Sequence, residues 1–406
     1  MRFLRLQAAW VFPVATPPIR NGMVELDTAN GTVIAIHAKP PKPDKRMGVN
    51  LGNVALLPGL VNAHTHLEFS DLTSPIDPPT PFTNWIRNLV GHRRSRRGDS
   101  KSISAQGYQE AFRAGTRMIG EIATEGWSPE SFTVETPDLQ DVPLPQLGQV
   151  VVFRELLGLL PEQSSEQLVI ANQHLAGAKA EEQSSLTRGL SPHAPYSVHP
   201  DLFHQLVSLC REKQAPLAMH LAETKAELEL LSQGTGEFVE MLTTFGVWRE
   251  GLIPRNSQVL DYLKPLADLP RALVVHGNYL SDDEIAFLSR HPNLSVVYCP
   301  RTHAYFGHTD HPWPKLVEAG VRVVLGTDSR GSNPDLSLWK EVQFLQKKHP
   351  PIPPKQWIEW ATRDGAIALY GEDTKFGTLQ PGRSANFVAI PLANPQATSP
   401  YTALFG

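Results

Sequence analysis

Short apolar runs alternate with stretches in which apolar positions recur every three or four residues. The runs cover 54–61, 117–122, 149–153, 186–190, 216–219, 272–275, 294–298 and 321–325. Between them lie helical patterns, clearest over 201–213, 224–245, 282–289 and 336–347. Continuous apolar strands separated by helices predict a parallel sheet buried on both faces, and eight such strands close a (β/α)8 TIM-type barrel. The α/β barrel is expected over 57–372. The chain ends have a different texture. Met1–Ala15 reads as a first β-strand, and Met23–Leu26 and Gly31–Ala38 flank an Asn30-Gly31 hairpin turn. Near the other end, Gly377–Gly382 leads into Ala385–Ile390 with no helical pattern after it. Residues 1–56 and 373–406 are therefore expected to build one small β-sandwich.

Two segments exceed a minimal βα unit. From Asp71 to Ser104, a proline-rich stretch carries Phe82-Thr83-Asn84-Trp85 and then Arg93-Arg94-Ser95-Arg96-Arg97. The aromatic residues suit a lid over the barrel mouth, and the arginines read as a solvated loop. Gly246 to Pro270 reads as a surface excursion.

Composition narrows the partners. Over 406 residues, 41% are hydrophobic and 19% charged, and the net charge of -4 offers no general attraction to nucleic acid or an anionic membrane. Small-molecule partners are expected, with no nucleic acid or membrane, and a homo-oligomer is compatible with this composition. Two cysteines, Cys210 and Cys299, cannot form a disulfide framework and suggest a reducing compartment. The apolar start is interrupted by Arg5, Gln7 and Pro13, unlike a secretory signal, and no run approaches the roughly 18 to 20 apolar residues that span a bilayer. The expected location is the cytoplasm.

Chemistry gathers where the predicted strands stop. The first ends in His64-Thr65-His66, and alternate strand residues face one side, so the two imidazoles can address one point. A shared metal ion is a use for such a pair. The third predicted strand leads into Arg154-Glu155, the fourth into Ser191-Pro192-His193-Ala194-Pro195-Tyr196, and the fifth into His220-Leu221-Ala222-Glu223. The sixth ends at His276-Gly277-Asn278, the seventh at Cys299-Pro300-Arg301-Thr302-His303, and the eighth at Gly326-Thr327-Asp328-Ser329. Desolvating so many imidazoles and carboxylates together is costly without a functional use. His193 also admits a simpler reading as a hydrogen-bonded core histidine.

This order of HxH, His, His and Asp over successive strands resembles the amidohydrolase superfamily, and the resemblance extends over nearly the whole chain. It implies that His64, His66, His220 and Asp328 bind one divalent ion, zinc or iron, while Glu223 and His276 handle protons. Binuclear members bridge two metals through a carboxylated lysine or a glutamate. The fourth strand tip has no lysine, and Glu155 fits a substrate or supporting contact, which favours a mononuclear site. His220 with Glu223, the Pro-His-Ala-Pro-Tyr context of His193 and Asp328-Ser329 are similar to the cytosine deaminase and chlorohydrolase-like branch. There, hydroxide formed at the metal attacks an amidine-like ring carbon. Asp328 and His276 would take and orient the water proton, and Glu223 would protonate the ring nitrogen and then the departing ammonia. Because residues i and i+3 of a strand face apart, Glu223 is expected beyond the strand end, where the chain turns over the site.

The segments around Phe82–Arg87 and Cys299–Gly307 are similar to aminodeoxyfutalosine deaminase-like proteins, whose substrate joins an adenine to a benzoate. This implies a metal-dependent hydrolytic deaminase of 6-amino-6-deoxyfutalosine. Trp85, Glu155, His193 and Arg301 are the candidate substrate contacts. Arg301 could pair with a carboxylate or phosphate, or it could be held by loop carbonyls or an acidic neighbour. The alternatives are a deaminase of adenosine, methylthioadenosine, S-adenosylhomocysteine or guanine, a chlorohydrolase, and a catalytically inactive assembly protein. The last would be expected to have lost ligands that are all present here. Ser384-Ala385-Asn386-Phe387 departs from the Ala-Asp usual at this point, which leaves the completeness of the sandwich open.

Overall fold

The computed structural model describes residues 3–39, 47–96, 98–133, 148–177 and 185–406. Arg97 of the basic run lies outside the described residues. Two four-stranded sheets come from the chain ends. One has the order β5-β4-β1-β6, from β1 (Phe3–Gln7), β4 (Met23–Asp27), β5 (Thr32–His37) and β6 (Met47–Asn50). The other has the order β16-β7-β2-β3, from β2 (Trp10–Val11), β3 (Ile19–Arg20), β7 (Val54–Pro58) and β16 (Phe387–Pro391). Leu4, Leu6, Val24 and Leu26 of the first sheet share one buried cluster with Val11, Leu56 and Phe387 of the second. Gly31, at φ 62°, makes the turn between β4 and β5.

Eight parallel strands form the nearly closed barrel. They are β8 (Leu60–Thr65), β9 (Thr116–Ala123), β10 (Gln149–Leu156), β11 (Leu186–Pro192), β12 (Leu217–Leu221), β13 (Ala272–His276), β14 (Leu294–Tyr298) and β15 (Arg322–Leu325), paired in chain order. Met118, Phe153, Ala218, Val275, Val297 and Val324 fill the interior from β9, β10, β12, β13, β14 and β15. The seam between β15 and β8 closes at its C-terminal end. His64 O accepts the N–H groups of Thr327 and Asp328 at 3.1 Å each, and the Asn62 amide bridges to Thr327 Oγ1 at 2.7 Å.

Several expectations from the sequence need correction, among them the end of the chain, where a helix, Pro400–Phe405, follows β16. The apolar run 54–61 contains two strands in different sheets: β7 pairs with β16, and β8 enters the barrel. The break falls at Gly59, where a Cβ would lie 2.5 Å from Arg117 and 2.6 Å from Asn386 side-chain atoms. The helical pattern 224–245 is two helices, Lys225–Gln233 and Glu237–Thr244, separated by Gly234 and Gly236 at φ 68° and 92°. Segment 246–270 is no surface excursion, since it contains the helix Val259–Leu266 and buries Leu252, Ile253, Val259, Tyr262 and Leu263.

The segment after β8 forms α1 (Phe82–Ser95) and α2 (Ser100–Arg113). Helix α1 docks over the barrel through its first turns. Phe82, Trp85 and Phe306 pack with centroids 5.0 to 5.5 Å apart, and Trp85 Nε1 donates to Gly331 O at 3.0 Å. The basic run is therefore largely helical. Cys210 and Cys299 are buried and unpaired, with thiol pKa values pushed up by burial. No helix among the described residues is long and apolar enough to cross a membrane.

Candidate active site

The C-terminal strand ends carry local backbone that ordinary residues avoid. Ala222 after β12, His276 at the end of β13 and Asp328 after β15 have φ of 53°, 69° and 57°. Left-handed conformations at non-glycine residues cost roughly 1–3 kcal/mol each and persist where the surroundings impose them. Those surroundings are visible here. The buried Glu227 carboxylate accepts the N–H groups of Ala222 and Glu223 at 2.8 Å, and Asn278 Nδ2 donates to Glu223 O at 3.0 Å. The chain thereby turns over the barrel mouth and brings Glu223 back towards the strand ends, as its sequence spacing demands. At His276, the carbonyl accepts from His311 Nε2 at 2.8 Å, while His311 Nδ1 accepts the Trp313 N–H at 3.0 Å.

Four of the anticipated residues converge. His66 Nε2 and His220 Nε2 are 3.2 Å apart, and Asp328 Oδ1 lies 3.6 Å from His64 Nε2 and 3.8 Å from His66 Nε2. Ligand nitrogens on a tetrahedral zinc, each about 2.0–2.1 Å from the ion, stand about 3.3 Å apart, so the set matches one small divalent ion. The polar atoms fit this use. Both nitrogens of the fully buried His64 and Nδ1 of His66 have no hydrogen-bond partner. His220 Nδ1 donates to His193 O at 3.0 Å, which leaves Nε2 as the free donor atom and fixes the ring as a supporting carbonyl does for a metal-ligating histidine. Burial followed by the neighbouring imidazoles pushes the pKa of His66 and His220 well down, so both are neutral, the state in which an imidazole can ligate a metal. Burial opposes the charge on Asp328, yet its contacts with His64, His276 and Ser332 hold its pKa below the ordinary value.

Glu223 and His276 stand beside this set, with 3.4 Å between Glu223 Oε1 and His276 Nε2. Burial, then the charges of Asp328 and Glu227, raise the Glu223 pKa well above its usual value. His276 is pushed down to about 3, mainly by burial. The carboxyl is thus biased towards its protonated form and the imidazole towards its neutral form, a division of roles suited to proton transfer.

A cavity of about 490 Å³ opens from these residues, within the size range of small-molecule sites. Its wall includes Phe69, Tyr196, Met241 and Phe245 as well as one face of α1. Of the anticipated substrate contacts, Trp85, Glu155 and His193 line it. Glu155 lies 3.9 Å from His193 Nε2 and 3.7 Å from Arg93, and His193 Nδ1 meets Ser197 Oγ at 2.8 Å.

Arg301 does not belong to this site. Its Nε bonds Glu341 at 2.6 Å and its Nη2 bonds Asp335 at 2.9 Å, while its backbone N–H donates to Glu341 as well. The guanidinium is held by acidic neighbours, away from the cavity lining. The cations that do line the cavity are Arg93 and Arg94, which the sequence reading placed in a solvated loop. They were legible in principle. Phe82, Trp85, Ile86, Leu89, Val90, Arg93 and Arg94 follow an i, i+3, i+4, i+7 stripe, so a helix that buries the aromatics also aims these two arginines inward. Glu227 and His311 were also missed, because neither adjoins a strand end.

A model described as the amidohydrolase family matches residues 55–406. Among curated proteins, an aminodeoxyfutalosine deaminase of Deinococcus radiodurans is 30% identical over 327 residues, covering 78% of this chain and 73% of that one. Among solved structures, Helicobacter pylori aminofutalosine deaminase in complex with methylthio-coformycin superposes with a TM-score of 0.75 at 22% identity, covering 95% of this chain and 91% of that chain. An adenosine deaminase from Xanthomonas campestris with bound zinc gives a TM-score of 0.73 at 22% identity, covering 97% and 86%. The two structures share the fold.

Proposed function

The chain belongs to the amidohydrolase family, and from this premise we propose that it is a metal-dependent hydrolytic deaminase of an aminated purine nucleoside, with 6-amino-6-deoxyfutalosine as its substrate. The observation that carries this reading is the pairing of Glu223 with His276 beside the convergent His64, His66, His220 and Asp328, at the base of one apolar-walled cavity. His64, His66, His220 and Asp328 would hold one divalent ion, zinc or iron. When bound, such an ion supplies Lewis acidity that brings the pKa of a water towards neutrality.

The protein's own groups account for the remaining chemistry. Glu223, whose burial favours the protonated form, donates to the ring nitrogen next to the amine-bearing carbon as water adds to that carbon. Asp328 and His276 accept and orient the proton that the water gives up. Glu223 takes up the second proton of the added water and passes it to the amine, which leaves as ammonia while the ring carbon becomes a carbonyl, and the proton held by Asp328 and His276 then restores Glu223. Trp85 supplies a flat apolar wall for the base, and Glu155 and His193 form the polar edge that meets the rest of the substrate. The same reading divides the chain into a catalytic barrel over 57–372 and a supporting sheet module from 1–56 and 373–406. The antiparallel pairing of β16 with β7 supports that division. A small-molecule substrate is the partner implied.

The test is ammonia release by the metal-loaded protein from adenosine, methylthioadenosine, S-adenosylhomocysteine, guanine and 6-amino-6-deoxyfutalosine, with metal content measured in parallel. The highest kcat/KM is expected for 6-amino-6-deoxyfutalosine. Preference for another member of the panel would move the substrate and keep the reaction. No ammonia from any of them, with metal bound, would overturn the deaminase reading.

A further inference from the structure

Helix α1 changes character along the single face it turns to the cavity. Phe82, Trp85, Ile86, Leu89 and Val90 make the first turns apolar, and Arg93 and Arg94 end the stripe. Trp85 is pinned beside the Asp328 loop through Gly331 O, and nine residues of helix, a rise of about 13 Å, separate it from Arg94, while Arg93 reaches over the Phe69 ring at 5.1 Å. The charges there do not cancel. Glu68 contacts Arg93 at 2.5 Å and Arg96 at 3.1 Å, and Glu155 approaches Arg93 at 3.7 Å. Three guanidinium groups against two carboxylates leave one positive charge in excess. That charge sits on Arg94, which is exposed and has no ion-pair or hydrogen-bond partner among the described residues. Arg93 adds a second signal, since its Nε is buried with no acceptor.

We infer that Arg94, with Arg93 beside it, forms an anion subsite that selects substrates carrying a carboxylate on the arm that follows the flat base along α1. This rests on the deaminase reading and deepens it by assigning the charged arm of the substrate to α1. The carboxylate meets two adjacent guanidinium groups after the flat part of the ligand has passed the apolar turns, and the pair favours it over a neutral arm of the same shape. Cations at a helix C-terminus also complement the helix dipole. That role alone predicts a change in stability and no discrimination between charged and neutral substrates.

The experiment measures ammonia release from 6-amino-6-deoxyfutalosine, from its methyl ester and from adenosine, by wild type and by Arg94→Ala and Arg94→Glu. Arg94 is exposed and unpaired, so these substitutions leave the fold intact. For the acid, KM is expected to rise about tenfold in Arg94→Ala and further in Arg94→Glu, with kcat within about threefold. The wild-type preference for acid over ester is expected to weaken at high salt. Equal effects on acid and ester, or no preference for the acid in wild type while ester or adenosine is deaminated, would overturn the anion subsite and leave the deaminase standing. Absence of ammonia from all three would overturn both.

Discussion

Gly326 lies where the strands bearing His64 and Asp328 meet, and its replacement by alanine tests whether the metal set depends on that seam. A Cβ at Gly326 would stand 2.9 Å from His64 O and 3.0 Å from both His64 Cβ and Cys299 Sγ. Two of these atoms belong to the ligand itself, and one is backbone that cannot rotate aside. Ordinary carbon contacts begin near 3.5 Å, so β8 and β15 must separate by about 0.5 Å. Metal sites tolerate about 0.2 Å in ligand position, less than half of that shift. Overpacking of this kind costs about 1–3 kcal/mol. Gly326→Ala is therefore expected to unfold at lower urea concentration by about that amount. It should also lose its metal to a chelator concentration at which wild type stays loaded, with ammonia release falling in step with metal content. Elemental analysis after dialysis against graded chelator, with urea melts monitored by circular dichroism, reads both. Gly48→Ala is the control, because nothing lies within 4 Å of its Cβ and its backbone is ordinary. Wild-type metal retention in Gly326→Ala, whatever its stability, would refute the link between seam geometry and ligand placement.

Other perturbations separate the remaining roles. Glu223→Gln keeps the shape and removes the transferable proton; ammonia release should fall by roughly 10² to 10⁴ at unchanged metal content, and near-wild-type turnover would exclude Glu223 as the acid. His311→Phe leaves the His276 carbonyl without its 2.8 Å partner and is expected to cost about 1–3 kcal/mol and to lower kcat more than metal affinity. Loss of metal in this variant as severe as the loss of kcat would show that His311 serves the whole mouth and not His276. Removing the ion by chelation should lower the urea midpoint, corresponding to about 4 kcal/mol of unfolding free energy when wild type is saturated a thousandfold above Kd, and identical melts with and without metal would contradict a site built on folding. Gly91→Ala, in the interior of α1 with open space at the Cβ, should stabilise by about 0.5–1 kcal/mol in the same melts.

The barrel was readable because its strands are buried on both faces and leave uninterrupted apolar runs; seven of the eight predicted runs fall on a barrel strand to within a few residues. The run 54–61 failed as a single strand because hydrophobicity continues across Gly59 while the chain passes from one sheet to another. The metal-set histidines and Asp328 were legible because each stands at or just past a strand end, where position in the barrel converts directly into position in space. Arg301 also stood past a strand end and misled for that reason: Glu341 and Asp335, which hold it, are more than thirty residues further along the chain. Arg93 and Arg94 were hidden by the opposite effect. A dense local cluster of positive charge normally signals solvent, and only the docking of Trp85 reveals which way that helix faces.

The wall that α1 supplies comes from one uninterrupted stretch of fourteen residues, pinned at its first turns and bearing its charge at its last. Substrate preference can therefore be exchanged as a cassette. Recoding position 94, or grafting the C-terminal half of this helix onto a related barrel, alters one wall of the binding site while the groups assigned to the hydrolysis stay at and just beyond the ends of the barrel strands. Laboratory diversification confined to this one segment would explore new ligands without putting the reaction itself at risk.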